Sequence, residues 1–115
     1  MTVVLGDLNA HAEEDPLRLL REAGWRDAFA VAGVGAGAGD APPHSFVFRG
    51  EAARLDHALL GSGLVERLRG AAEWHANADE GEAFHYSRDA SAEGAASPWR
   101  ASDHDPVLLG LDLGR

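Results

Sequence analysis

The sequence predicts an α+β domain, with one mixed, mainly antiparallel sheet and short helices on one face. Three observations lead there. The apolar runs Val3 to Leu5, Ala58 to Leu60 and Val107 to Leu111 are too brief for helices and are bounded by Gly, Asp or Pro, as strands are. Each run adjoins a carboxylate: Asp7 after the first, Asp56 before the second, and Asp103 with Asp105 before the third. Between the first two lies a clear helical signal, in which Asp15 caps, Pro16 takes the first turn, Leu17 and Leu20 share a face, and Gly24 stops the helix.

The first strand runs into Gly6-Asp7-Leu8-Asn9, where period-two spacing puts Asp7 and Asn9 on one face. After the helix, Trp25 and Phe29 are expected as core or interface aromatics. Residues 32–44, rich in Gly and Ala with two prolines, have little to bury and read as a flexible loop. Ser45 to Phe48 reads as a strand, Arg49 to Ala52 as a turn and Arg54 to Leu60 as the next strand, so this pair is expected to form a hairpin. Gly61-Ser62-Gly63 ends it. Leu64 to Arg69 suits a helical turn or two, and Ala72 to His75 a short strand. Residues 80–101 are polar and irregular, a second flexible loop carrying Phe84, Tyr86 and Trp99. The last strand, from Val107 to Leu113, is nearly continuous in apolar residues, and Pro106 holds Asp105 extended at a sheet rim.

At 115 residues the chain is one domain at most, able to bury roughly two thirds of its unfolded surface. It has no cysteine, hence no disulfide, thiolate metal site or thiol nucleophile. The formal charge of −9 argues against a surface that coats nucleic acid, because such binding depends on cations neutralising phosphates. Phosphate contacts must then be local, with Arg49, Arg54 and Arg100 as candidates, and a divalent metal would offset further carboxylate charge. The acids Glu13, Glu14, Glu22, Glu66, Glu82 and Glu93 read as surface solvation. No signal peptide is expected, since only a short apolar run precedes the first polar motif. The apolar run 28–39 is too short and too rich in glycine for a bilayer, which takes about 20 residues, so no membrane partner is expected.

The residues most concentrated in chemistry are Ser102-Asp103-His104-Asp105-Pro106. In a regular strand Asp103 and His104 would face opposite ways, and a turn is needed for both to serve one site. With Gly6-Asp7-Leu8-Asn9 and Arg54-Leu55-Asp56, this stretch resembles, in order, the late motifs of the endonuclease/exonuclease/phosphatase family, and so the C-terminal half of its domain. The likeness is closest to the bacterial secreted nuclease branch. It is carried by Asp15-Pro16, Ser45-Phe46-Val47-Phe48, Leu55-Asp56-His57-Ala58-Leu59, Glu73-Trp74-His75-Ala76-Asn77-Ala78-Asp79-Glu80 and Ser102 to Val107. The fold this implies is half of a four-layer, DNase I-like α/β sandwich.

The resemblance implies metal-dependent phosphodiester hydrolysis on DNA, RNA or another phosphodiester, with Mg²⁺ first and Mn²⁺ or Ca²⁺ as alternatives. By the same resemblance Asp103 and Asp7 would ligate the metal, and Asp7 would also position or deprotonate the attacking water. Asn9 would hold that water or the phosphate, His104 would grip a non-bridging oxygen, Asp56 would orient His104, and Arg54 would add a phosphate contact. Each residue also has a structural reading: Asp7 and Asn9 as an Asx turn, Asp103 and His104 as a salt-bridged loop, and Asp56 as the partner of Arg54. Asp105 suits either a metal or a turn, with the turn preferred. His57 is expected to face away from Asp56, into the core. By resemblance to the secreted branch, His75, Asn77, Asp79 and Glu80 would line the phosphate or metal cleft, with a turn network as an equal alternative.

The histidines show no pair at the close spacing of a helical zinc motif, and Asp7-x-Asn9-x-His11 lacks the glycine and glutamate of a calcium loop. The family's first half, which supplies a metal-binding glutamate, has no counterpart here. A fragment inactive alone is therefore expected, with an exposed apolar sheet face that would seek the complementary half or a second copy. The alternatives are a phosphoesterase completed by another chain and a non-catalytic metal- or phosphate-binding module.

Overall fold

A computed structural model describes residues 1–81 and 101–114; most of the expected loop at 80–101 lies outside them. The elements are β1 (Val3–Asp7), α1 (Asp15–Glu22), β2 (Arg26–Asp27), α2 (Ala28–Ala32), β3 (Phe46–Phe48), β4 (Glu51–Ala53), β5 (Asp56–Leu60), α3 (Ser62–Val65), β6 (Leu68–Glu73) and β7 (Val107–Leu111). The α+β class and the antiparallel pairing are as expected. The single sheet is not: among the described residues the strands form three antiparallel sheets, in the orders β1-β5-β2, β3-β4 and β6-β7.

The division follows from burial on both faces of β5. Its period-two alternation sends Ala58 and Leu60 into a core with Phe29, Leu64, Val107 and Leu109, so the β6-β7 ladder lies across the first sheet instead of extending it. Leu59 goes the other way, into a core with Leu17 and Ala10 that α1 covers with Leu20. Helix, sheet and second ladder thus form successive layers, the arrangement expected of part of a sandwich. Burying a side chain such as Phe29 or Leu17 contributes about 1.5–3 kcal/mol.

Helix α1 ends as its sequence indicates. Gly24 takes a left-handed φ of 97°, the Trp25 N–H donates to the Leu20 carbonyl and the Gly24 N–H to the Arg21 carbonyl. This is a Schellman closure, which an L side chain at Gly24 would strain. Glu14, not Asp15, occupies the cap position. Asp27 caps α2 by accepting from the Phe29 N–H at 2.9 Å.

The expected hairpin is shorter than the sequence suggests. Arg49 and Gly50 both have positive φ, 52° and 83°, forming a two-residue turn that pairs β3 with Glu51–Ala53. Freed from that hairpin, β5 pairs with β1, and Asp7 lies directly opposite Asp56. The helical turn expected at Leu64 to Arg69 comes earlier, at α3, because the backbone from Leu68 onward pairs with β7. The last strand stops at Leu111.

Val3 and Leu5 lie on the same face of the first sheet as Ala58 and Leu60, yet Leu5 is 52% exposed. An apolar surface therefore remains open on β1 beside Asp7. Among the described residues no helix is long and apolar enough to cross a membrane.

Phe29→Ala is expected to lower stability by about 3–5 kcal/mol in urea denaturation, since it empties the space between the two ladders. A loss below about 1 kcal/mol would contradict the shared core.

Candidate functional site

The three motif ends meet. Asp56 sits at the start of β5, on the face turned toward the β6-β7 ladder, opposite Asp7 at the end of β1. The loop before β7 brings His104 to it, and His104 Nδ1–H donates to Asp56 Oδ2 at 2.6 Å. Nothing local brings these two residues together, since 48 positions separate them.

The Asp56 carboxylate is held from a second side by Ser45. Its hydroxyl donates to Asp56 Oδ2 at 2.7 Å, while Ser45 Oγ accepts from the Leu55 and Asp56 N–H groups at 3.3 and 3.2 Å. Ser45 is fully buried, and its carbonyl accepts from the Asp105 N–H at 2.7 Å. Through its hydroxyl and its carbonyl, Ser45 thus joins the start of β3 to β5 and to the His104 loop. The sequence showed Ser45 only as the first letter of a Ser-aromatic-Val-Phe strand.

His104 packs against the Phe46 ring, with centroids 4.7 Å apart. Partial burial works against its charged form, but the hydrogen bond and charge of Asp56 outweigh this, and Asp103 and Asp7 add to them, so its pKa is raised above 6.5. With Nδ1 committed to Asp56, Nε2 is the ring edge left to act as a donor, and it has no partner among the described residues.

Asp7 Oδ1 accepts from the Asn9 N–H at 2.8 Å and Oδ2 from the Asn9 side-chain amide at 3.4 Å. Asn9 has φ 49°. The Asx turn therefore exists, and it also fixes an exposed carboxylate beside Asp56. Asp103 is exposed, near enough to His104 for its charge to act there. Leu5, Asp56, Asn77, Ser102 and His104 line a cleft of about 390 Å³.

Arg54 is not brought to this group. Expected to contact a phosphate, it is paired with Asp27 and lies over the Phe29 ring, 5.3 Å from its centroid. Both partners of this ion pair are largely buried, so the guanidinium is committed to the core side of the domain. Arg49 lies over the exposed Phe48 ring, and Arg100 is outside the described residues. His57 is buried as expected, donating through Nε2 to the Ala10 carbonyl at 2.8 Å, and burial pushes its pKa down.

Asp105 stabilises a turn, but a distant one. Its Oδ1 accepts from the Ala76, Asn77 and Ala78 N–H groups at 3.0, 2.8 and 2.9 Å. Its Oδ2 faces His75 Nδ1 at 2.8 Å. Desolvation opposes its charge, yet these amides and His75 hold its carboxyl below the usual range. Asn77 returns a bond to the His104 carbonyl at 2.8 Å, tying this turn to the site loop.

Among the described residues, the one group of three or more histidines and acids close enough to share an ion is His44, His75, Asp79 and Asp105. Asp7, Asp56 and Asp103 do not form such a group by themselves. A model described as the Endonuclease/Exonuclease/phosphatase family matches residues 1–104. No curated protein and no solved structure gives a significant match.

Ser45→Ala is expected to lower stability by about 1–3 kcal/mol, because buried N–H groups lose their acceptor; an unchanged urea midpoint would contradict its role. The raised pKa of His104 fixes the sign of a pH effect. Stabilisation by the Asp56–His104 pair is fully present below about 6.5 and is lost as pH rises through the raised value. The stability gap between the chain and Asp56→Asn should therefore narrow with rising pH in that window, and a gap that widens would contradict it.

Proposed function

The chain belongs to the endonuclease/exonuclease/phosphatase family, and from that premise we propose that it supplies the Asp–His half of a divalent-metal-dependent phosphodiesterase site acting on nucleic acid. The observation that carries this reading is the 2.6 Å bond between Asp56 and His104 with Asp7 in register alongside. Phosphoester hydrolysis needs donors that follow charge onto the phosphate oxygens, and a protonated, oriented imidazole is such a donor.

In this proposal His104 Nε2–H grips a non-bridging oxygen and Asp56 keeps the ring charged and aimed. Asp7 positions or deprotonates the attacking water, with Asn9 holding it. Asp7, Asn9 and Asp103 offer only oxygen donors at an exposed rim, which suits a partly hydrated Mg²⁺ or Mn²⁺. Such an ion, when bound, would polarise the phosphate and lower the pKa of a coordinated water. Two described carboxylates are few for that ion, so the remaining ligand comes from the other half of the fold. The open apolar surface at Val3 and Leu5 supports that half as the partner. The likeness of the motifs to the secreted nuclease branch favours DNA or RNA as substrate. A non-catalytic metal- or phosphate-binding module is the second reading, favoured by the engagement of Asp7 and Asn9 with each other.

The test is hydrolysis of plasmid and of a chromogenic phosphodiester with Mg²⁺ or Mn²⁺, by the chain alone and after mixing with a polypeptide carrying the family's first half. Background rates alone, metal-dependent turnover in the mixture, and a loss of about 10²-fold or more in His104→Ala and Asp103→Ala mixtures are expected. Equal rates in wild-type and variant mixtures, or no turnover from a mixture that forms a stable complex, would overturn the enzymatic reading.

A further inference from the structure

We propose that His44, His75, Asp79 and Asp105 form a separate zinc-class metal site, which clamps together the two loops that hold the Asp56–His104 pair. The four ligand atoms lie within 4.8 Å of one another. His44 Nε2 is 3.0 Å from Asp79 Oδ1, His75 Nδ1 is 3.7 Å from Asp79 Oδ2, and His75 Nδ1 is 2.8 Å from Asp105 Oδ2. Around a tetrahedral ion with bonds of about 2.0–2.2 Å, ligand atoms stand about 3.3–3.6 Å apart. The observed separations bracket that spacing, so small side-chain adjustments would seat an ion.

The group is already oriented. Asp105 is 3% exposed, and three backbone amides fix its Oδ1, which leaves Oδ2 toward His75. The His44 and His75 rings stack with centroids 4.4 Å apart. Glu73, whose charge reaches both rings, has a buried Oε1 without a hydrogen-bond partner among the described residues. Two imidazole nitrogens with two carboxylate oxygens suit Zn²⁺, whereas Mg²⁺ and Ca²⁺ favour oxygen ligands alone.

Its position gives this site a role. His44 adjoins Ser45, and Asp105 adjoins His104. In each pair one residue reaches Asp56 and the other reaches the ion site, and the Asp105 N–H to Ser45 carbonyl bond at 2.7 Å joins the two pairs. An ion bound here would fix both walls of the Asp56 site without entering it.

The test is titration of the chelator-stripped chain with Zn²⁺, by calorimetry and by thermal melting, with Co²⁺ as the spectroscopic probe. One Zn²⁺ per chain, a raised melting temperature, visible bands of four-coordinate Co²⁺ and no competition from Mg²⁺ are expected. His44→Gln and His75→Gln should each weaken binding by about 10-fold or more, while His11→Ala, at an exposed histidine, should not. Absence of a Zn²⁺-dependent melting shift in the wild-type chain, which needs no variant to fold, would overturn the proposal. Binding unaffected by both glutamine variants would do the same. Neither result depends on phosphodiester turnover.

Discussion

The structure turns on a single carboxylate oxygen. Asp56 Oδ2 receives the Ser45 hydroxyl and the His104 imidazole, at 2.7 and 2.6 Å. A half-buried carboxylate demands such partners, because leaving it unpaired costs far more than any one bond returns. Meeting that demand draws β3, β5 and the loop before β7 to one point. It also removes the penalty of setting Asp7 directly opposite Asp56, a like-charge pair that on its own disfavours the β1-β5 register. His104, whose charged form Asp56 favours, offsets that repulsion, and Asp7 and Asp103 beside it have no ion-pair partner among the described residues.

The layered fold explains why this point is a cleft rim. The face of β5 that buries Ala58 and Leu60 against the second ladder ends at Asp56, where the apolar packing stops. Opposite faces of that strand have different fates. His57, one residue on, turns into the α1 side of the domain and serves packing, its charged form suppressed by burial. Along β1 the same alternation leaves Val3 and Leu5 uncovered next to Asp7, so an open apolar surface and the acid rim are contiguous.

What the sequence made legible follows the range of the interaction. Local devices could be read directly: the Gly24 stop, Pro16 in the first turn of α1, and the opposite facing of Asp56 and His57. The meeting of the Asp7, Asp56 and His104 segments was legible through ordered motifs, not through any spacing rule. Tertiary competition defeated the rest. A strand of β propensity from Arg54 to Leu60 does not reveal that β1 and β2, not β3, will pair with it, and the decisive left-handed turn falls on Arg49, a residue type that does not announce it. Arg54 looked like a phosphate contact because of its neighbours, but Asp27, far away in sequence, holds it. The His44, His75, Asp79 and Asp105 group was legible only in part: His75 and Asp79 stand four positions apart in one loop, but His44 and Asp105 come from distant segments that no spacing rule joins to them.

The most direct measurement is the titration of His104 followed by NMR of its ring signals in the chain and in Asp56→Asn. A His104 pKa above the ordinary 6.5 in the wild-type chain, falling toward it in the variant, is the expected result. An unshifted value in the wild-type chain, or the same raised value in both proteins, would contradict the pairing on which the site is built.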